Sequence, residues 1–227
     1  MIDLVLVGIQ NPGNLGAIAR VMKNFGLSDL FLIDPLCDPN SEEAIFRAKH
    51  AKSILKKARI VDLSNLQKYD YIIGTTSKIG SDYNIPRVPV TPEQFALTIN
   101  KRAKTALLIG RESHGLTNKE LELCDFIITI PTSKKYPAMN ISHAVAIILY
   151  EIFKTSKAKK LGDRVTPMTK KEKEVILKKV DNILSRMYFS TEQKRDTQRK
   201  VWKRLITKAM LTKREAFALL GFLRKLE

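Results

Sequence analysis

Apolar and polar positions follow two alternating rhythms over the first two thirds of the chain. Short runs, "DLVLVGI" (3–9), "DLFLID" (29–34), "ARIVD" (58–62), "YDYIIGTTS" (69–77), "KTALLIG" (104–110) and "FIITIP" (126–131), read as strands. Between and after them, "LGAIARVMKNFGL" (15–27), "SEEAIFRAKHAKSIL" (41–55), "TPEQFALTIN" (91–100), "TNKELELC" (117–124) and "NISHAVAIILYEIFK" (140–154) read as helices. Apolar strands alternating with helices predict an α/β fold, a mostly parallel sheet covered on both faces. The stop and start signals agree: Gly26 stands where a C-cap glycine belongs, and Ser41 precedes two acids as an N-cap. Asn14, or the backbone around it, is the expected start of the first helix.

The rhythm changes after Phe153. Residues 157–169 carry Lys, Ser, Gly and Pro without an apolar period and read as a basic linker between a domain over 1–156 and a unit over 170–227. From Lys170 onward only helical spacing is found, in 170–187, 190–210 and 212–226, with Ser190 and Thr212 as N-caps. This predicts a small basic all-helical unit.

Composition sharpens the picture mainly through charge. The chain of 227 residues carries 40 Lys+Arg against 23 Asp+Glu, a net +17. Residues 1–156 hold 19 basic and 15 acidic side chains, net +4, whereas residues 157–227 hold 21 and 8, net +13. A field concentrated on the last third points to a polyanionic partner, nucleic acid first among them. The longest apolar run, "AVAIILY", is too short to span a bilayer. "MIDLVLVG" lacks the basic start and cleavage site of a signal peptide, and Cys37 and Cys124 form no CxxC pair. A cytoplasmic protein without a zinc site is the expectation.

The turn "QNPGNLGAIAR" (10–20) sits between the first strand and first helix and has two readings. As a dinucleotide cradle it fails on spacing: Gly13 and Gly16 give GxxG where GxGxxG is required, and Pro12 has no N–H to offer a pyrophosphate. The alternative is a polar edge formed by Asn11, Asn14 and Arg20. An arginine inside "AIARVM" is either a solvated surface residue or a planar fork for a phosphate, and the local sequence does not choose between them. His50, His114 and His143 are scattered at no metal spacing and read as packing or surface residues. Trp202, at helical spacing with Val201, Leu205 and Ile206, reads as core, although its basic neighbours would also suit a stacked base.

Two further stretches bear on the turn. "LLIGRESHGLTNKEL" runs from strand through glycine turn to a helix capped by Thr117, and "IPTSKKYPAMNISHAVAIILYE" leaves a strand for a polar loop and a long apolar helix. With "NPGNLGAIARVMKNFG" these blocks, in this order, resemble the three motifs of the SPOUT class of RNA methyltransferases, in its TrmH/SpoU branch. "GTTS", "GRESHGLTNKEL" and the basic helical extension are similar to the TrmJ family, tRNA 2′-O-ribose methyltransferases acting at nucleotide 32 of the anticodon loop. The resemblance covers residues 1–156.

That resemblance implies a sheet whose C-terminal segment forms a deep trefoil knot, a bound S-adenosylmethionine, a tRNA substrate, a homodimer and no metal. It places the cofactor against Thr75, Thr76, Ser77, Gly110, Ile130, Pro137, Ala138 and Met139. Arg20 becomes the leading catalytic candidate, holding the phosphate beside the target ribose and reaching toward a partner's pocket. Asn11 and Asn140 would hold ribose or cofactor loops; Glu112 matches the acid of the second motif, and its plainer structural reading is a brace for loop N–H groups. Lys157, Lys159, Lys160, Arg199, Lys200, Lys203 and Arg204 are the candidate phosphate contacts. One departure stands out: the third motif often reads "SLN", and here it reads "AMN" at 138–140. Ala138 cannot supply a serine hydroxyl, which bears on nucleotide preference, with a cytidine-restricted enzyme as the expectation. A ribosomal RNA substrate, or a non-catalytic basic RNA-binding protein, are the competing readings.

Overall fold

Strand β1 (Ile2–Val7) is buried on both faces, because Leu4 and Leu6 point one way and Val5 and Val7 the other, all at most 1% exposed. The same doubling holds along β2 (Leu30–Ile33) and β5 (Thr105–Ile109), and explains why these strands are unbroken apolar runs. They join β3 (Arg59–Ile60), β4 (Tyr71–Thr75) and β6 (Phe126–Ile128) in one parallel sheet of order β3-β2-β1-β5-β4-β6. This is a computed structural model, describing residues 1–77, 89–99, 102–157 and 166–226.

One face of the sheet packs under α1 (Pro12–Asn24), α2 (Glu42–Ala48), α3 (Lys52–Lys56), α4 (Pro92–Thr98) and α6 (Ile141–Lys157), through Leu15, Ile18, Met22, Ala44, Leu55, Phe95, Val145 and Leu149. The other is covered by a 3₁₀ turn (Leu63–Lys68) and α5 (Asn118–Leu123), through Leu66, Leu116 and Leu121.

Two local expectations are corrected and a third holds. Helix α1 begins at Pro12, with Asn11 as its N-cap and the Asn14 N–H donating to Asn11 Oδ1. A proline at the first helical position is preset for the helix, so the start moves two residues upstream of Asn14. The segment read as one helix over 41–55 is two, broken at Lys49, whose φ of 49° lies in the left-handed region. The break lets Ala44 and Ala48 on one side, and Ile54 and Leu55 on the other, all reach the core. Gly26 ends α1 as read: at φ 75° it donates to Lys23 O while Leu27 N reaches back to Met22 O.

Helices α7 (Lys170–Arg186), α8 (Glu192–Lys208) and α9 (Lys213–Arg224) form a separate small core from Ile176, Val180, Leu184, Ile206, Ala216, Leu220 and Leu223. Thr166–Thr169 belong to it, since Met168 is buried there and Met168 N donates to Leu211 O. The cap of α8 is Thr191, one residue past Ser190, and Thr212 caps α9 as read. Trp202 corrects the core reading. Ile206 is the residue of that stripe turned inward, leaving Trp202 36% and Leu205 54% exposed on the outer side of α8.

The helical unit docks where β4 and β6 begin, at the N-terminal edge of the sheet. Buried Lys173 of α7 donates to Asp70 O at 2.9 Å and pairs with Asp125 Oδ1 at 3.1 Å, while Asp125 Oδ2 accepts from Ile72 N at 2.9 Å. Both side chains are nearly sealed, at 10% and 8% exposure. Asp125→Ala is therefore expected to lower stability by about 3–5 kcal/mol in urea unfolding, because it strands a buried ammonium. A loss under about 1 kcal/mol, the range of an exposed pair, would show that this junction opens to water.

Candidate active site

The strand order reverses between β1 and β5, the switch point beyond whose C-terminal strand ends open α/β sheets hold their ligands. The turn after β1 and the turn after β5 meet there. Glu112 accepts from the Gln10 and Asn11 backbone N–H groups at 3.0 Å each and from Asn14 Nδ2 at 3.1 Å. Asn14 Oδ1 in turn accepts from Asn140 Nδ2 at 2.9 Å. Asn140 Oδ1 accepts from Ser142 N at 2.9 Å and Ser142 Oγ at 2.7 Å, capping α6. One chain of hydrogen bonds thus ties the blocks at 10–20, 110–117 and 131–142. Glu112 has the bracing role read for it.

Arg20 does not join this cluster. It is exposed on α1 and makes no hydrogen bond or ion pair with another described residue. The earlier helix start explains it: eight residues beyond Pro12, Arg20 lies about 12 Å along the helix from the capped end. Of the expected polar edge, Asn11 and Asn14 are together and Arg20 stands apart. Asn11 itself is committed to structure, its side chain to the cap and its N–H to Glu112.

Gly110 ends β5 where the backbone closes on itself. A Cβ there would lie 2.2 Å from both Gly115 C and Leu116 N, and Arg111 and Gly115 exchange backbone hydrogen bonds of 3.2 and 2.9 Å across the turn. Arg111 is fixed by both oxygens of buried Glu120 at 3.0 Å, and Glu120 also closes a capping box with Thr117. This ion pair was not singled out in the sequence, although Thr117-x-x-Glu120 carries the capping signature that locates one partner.

These turns are those of a known family. A sequence signature described as the SpoU rRNA Methylase family matches residues 1–150. The chain belongs to this family. It is 37% identical over 225 residues to a tRNA (cytidine-2′-O-)-methyltransferase TrmJ of Methanocaldococcus jannaschii, covering 97% of each chain. It is 33% identical over 230 residues to the Sulfolobus acidocaldarius protein of the same description, covering 99% of this chain and 93% of the other. The crystal structure of TrmJ from Z. mobilis ZM4 superposes with a TM-score of 0.67 at 28% identity, covering 100% of this chain and 99% of that one.

The cofactor of a SpoU methylase is S-adenosylmethionine, and the strand ends fit it chemically. Thr75, Thr76, Ser77, Gly110, Ile130, Pro137, Ala138 and Met139 bring no charge, so nothing in that set repels a sulfonium. Ile130 and Met139 are half-buried aliphatic surfaces. Thr75 Oγ1 is spent on Leu108 O at 3.0 Å, and Thr76 N and O are bonded to Ile128 O and Thr129 Oγ1. Thr75 and Thr76 are thus tied into the sheet edge, while Ser77, Pro137 and Ala138 are exposed. Thr132 Oγ1 donates to Pro137 O at 3.2 Å and holds the Pro137–Met139 turn. Ser142 does not replace the hydroxyl missing at Ala138, because it is buried and bonded to Asn140.

Other chemistries find no support among the described residues of this SpoU methylase. Burial pushes the Cys124 thiol up to about 12, and Cys37 is raised by burial and by Glu112, so neither offers a thiolate at neutral pH. The three histidines are exposed. No group of three or more His, Cys, Asp or Glu that could hold a metal is found among the described residues, nor any helix long and apolar enough to cross a membrane.

The candidate phosphate contacts divide. Arg199 is engaged by Asp181, Glu192 and Asp196 at 2.5, 3.2 and 2.7 Å, so it braces α7 against α8 and is not an open anion site. Lys200 is exposed, and Lys203 and Arg204 are half-buried on the same helix. Lys157 is the last residue of α6, and Lys159 and Lys160 lie outside the described residues.

Proposed function

We propose that this SpoU methylase transfers a methyl group from S-adenosylmethionine to a ribose 2′-hydroxyl of tRNA, at nucleotide 32 of the anticodon loop with cytidine preferred. The observation that carries this reading is the Glu112–Asn14–Asn140 chain, which fixes three loops around one crevice at the sheet's switch point. The extent of the likeness to TrmJ supports the choice of tRNA, because it covers 97% of both chains and so includes the basic helices.

The bound cofactor would supply an electrophilic methyl, and the rest is positioning by this chain. Gly110, Ile130 and the Pro137–Met139 turn hold the adenosyl portion by backbone and aliphatic contact, with Thr75, Thr76 and Ser77 closing one side. Asn140, fixed by Asn14 and Ser142, sets the height of that turn. Arg20 grips the phosphate next to the target ribose and orients its hydroxyl. A guanidinium keeps its proton at neutral pH, so positioning suits it better than proton abstraction.

Since Arg20 stands away from its own chain's crevice, it serves the pocket of a second copy in a homodimer. The segment from β6 through α6 is the part that would thread to form the trefoil knot. In this scheme residues 1–156 are the catalytic domain, 157–165 link it to the tail, and the helical unit over 166–227 supplies tRNA affinity through Lys200, Lys203 and Arg204, together with Lys157, Lys159 and Lys160 of the linker. The protein acts in the cytoplasm, where tRNA is matured.

The family's name speaks of ribosomal RNA, so substrate choice is tested directly. Incubation with an unmodified tRNA transcript or with ribosomal RNA, followed by mapping of the methylated ribose, is expected to give a single site at nucleotide 32 of tRNA. Modification confined to ribosomal RNA would overturn the tRNA assignment and leave the reaction class in place.

A further inference from the structure

The loop from Pro131 to Asn140 carries an aromatic ring that the scheme above does not use. Tyr136 is 79% exposed and makes no ring contact with another described residue. Such exposure usually goes with a slack loop, but this one is pinned. Tyr136 N donates to Ser133 O at 3.1 Å, Lys135 N to Ser133 Oγ at 3.3 Å, and Thr132 Oγ1 to Pro137 O at 3.2 Å. Pro137 confines the residue before it to extended backbone, so the ring is presented in a restricted direction. Both ends of the loop are anchored, by β6 on one side and by the Asn140–Asn14 bond on the other. The exposed cations Lys134 and Lys135 precede the ring directly.

An aromatic ring beside two lysines, on a braced loop one residue from the cofactor turn, has the composition of a single-stranded nucleic-acid contact. The chemistry also calls for one. Sequence-specific RNA contacts are made mostly to loop nucleotides, and a loop base splayed out while its ribose is aligned for in-line attack loses a stacking partner. We propose that Tyr136 stacks on an unpaired base at or beside the target nucleotide, with Lys134 and Lys135 on the adjoining phosphates, which makes it a specificity residue for loop RNA. This rests on the RNA ribose methylation proposed above.

The test is the affinity of the full-length protein for an unmodified tRNA transcript, measured across a salt series for the wild type, Tyr136→Phe, Tyr136→Ala and the Lys134→Ala/Lys135→Ala pair. A stacked base is worth about 1–3 kcal/mol, so Tyr136→Ala should weaken binding roughly 5- to 150-fold while Tyr136→Phe stays close to wild type. The salt slope should be unchanged in both tyrosine variants and should fall by about 0.7 per lost phosphate contact in the lysine pair. Calorimetric S-adenosylmethionine affinity should not move in any of them. Tyr136→Ala binding tRNA like wild type overturns the proposal, as does Tyr136→Phe losing as much as alanine, which would assign the effect to the hydroxyl. A change of oligomeric state in Tyr136→Ala by sedimentation also overturns it, by assigning the ring to a contact between copies. If wild-type protein yields no 2′-O-methyl product, the methylation reading fails, and the affinities still decide the role of Tyr136.

Discussion

Arg20→Ala is expected to lower single-turnover methylation of tRNA at least about 100-fold, the scale on which misplacement of a reacting group is felt, while calorimetric S-adenosylmethionine affinity stays at its wild-type value. The separation of the two effects follows from the structure. Arg20 is exposed and makes no hydrogen bond or ion pair with other described residues, whereas Asn14, Glu112 and Asn140, which set the loops, are bonded to one another without it. Removing the guanidinium should leave those loops standing and take away only what it would grip on the RNA. Arg20→Lys keeps the charge and loses the planar fork, so it should recover binding to tRNA more than turnover. An alanine variant that still methylates at the wild-type rate would remove Arg20 from the reaction, and one that loses cofactor affinity as well would place it in the pocket of its own chain.

Gly110→Ala is expected to be the most damaging conservative change in the crevice. The added methyl would meet backbone, at 2.2 Å from Gly115 C and Leu116 N, and backbone cannot rotate aside as a side chain can. The turn over 111–115 must open, which disturbs Arg111, its pairing with Glu120 and the placement of Glu112 at the head of the hydrogen-bond chain. A cost of about 3 kcal/mol or more follows from overpacking of this kind, or roughly 6–12 °C in Tm for a chain of this size, with loss of measurable S-adenosylmethionine binding. Gly221→Ala is the matched control. Nothing lies within 4 Å of its added methyl in the middle of α9, so it should hold or raise stability by up to about 1 kcal/mol. Equal behaviour of the two variants would mean that the turn after β5 is not closed as described.

Much of the fold was legible because burial on both faces leaves a plain mark. Strands such as β1 and β5, sealed above and below, cannot carry polar positions, so their runs are unbroken. Caps were legible for the same reason of necessity, as at Ser41, Thr117 and Thr212. Other features had no local mark. A lysine at φ 49° looks like any other lysine, and so the break at Lys49 was invisible. Helical spacing gives a stripe without saying which neighbours will cover it, and Trp202 lost its cover when α7 and α9 closed over Ile206.

The site was legible in its parts and not in its assembly. Asn14 and Glu112 are 98 positions apart and Asn14 and Asn140 are 126 apart, distances over which no spacing rule operates. Motif resemblance brought these blocks together before the geometry did. It could not show that Asn11 is used up as a cap, that Thr75 turns its hydroxyl inward to Leu108, or that Arg199 is held by three carboxylates. Each of these is a partner choice made by packing.

In the proposed reaction the three bonded loops form a pocket from which a methyl group reaches a tRNA ribose. This is tested most directly by incubating the protein with unmodified tRNA and methyl-labelled S-adenosylmethionine, then digesting the RNA to nucleosides. Label is expected in a 2′-O-methylated nucleoside, principally 2′-O-methylcytidine. Label on a base, or RNA recovered without label while the protein binds it tightly, would contradict it.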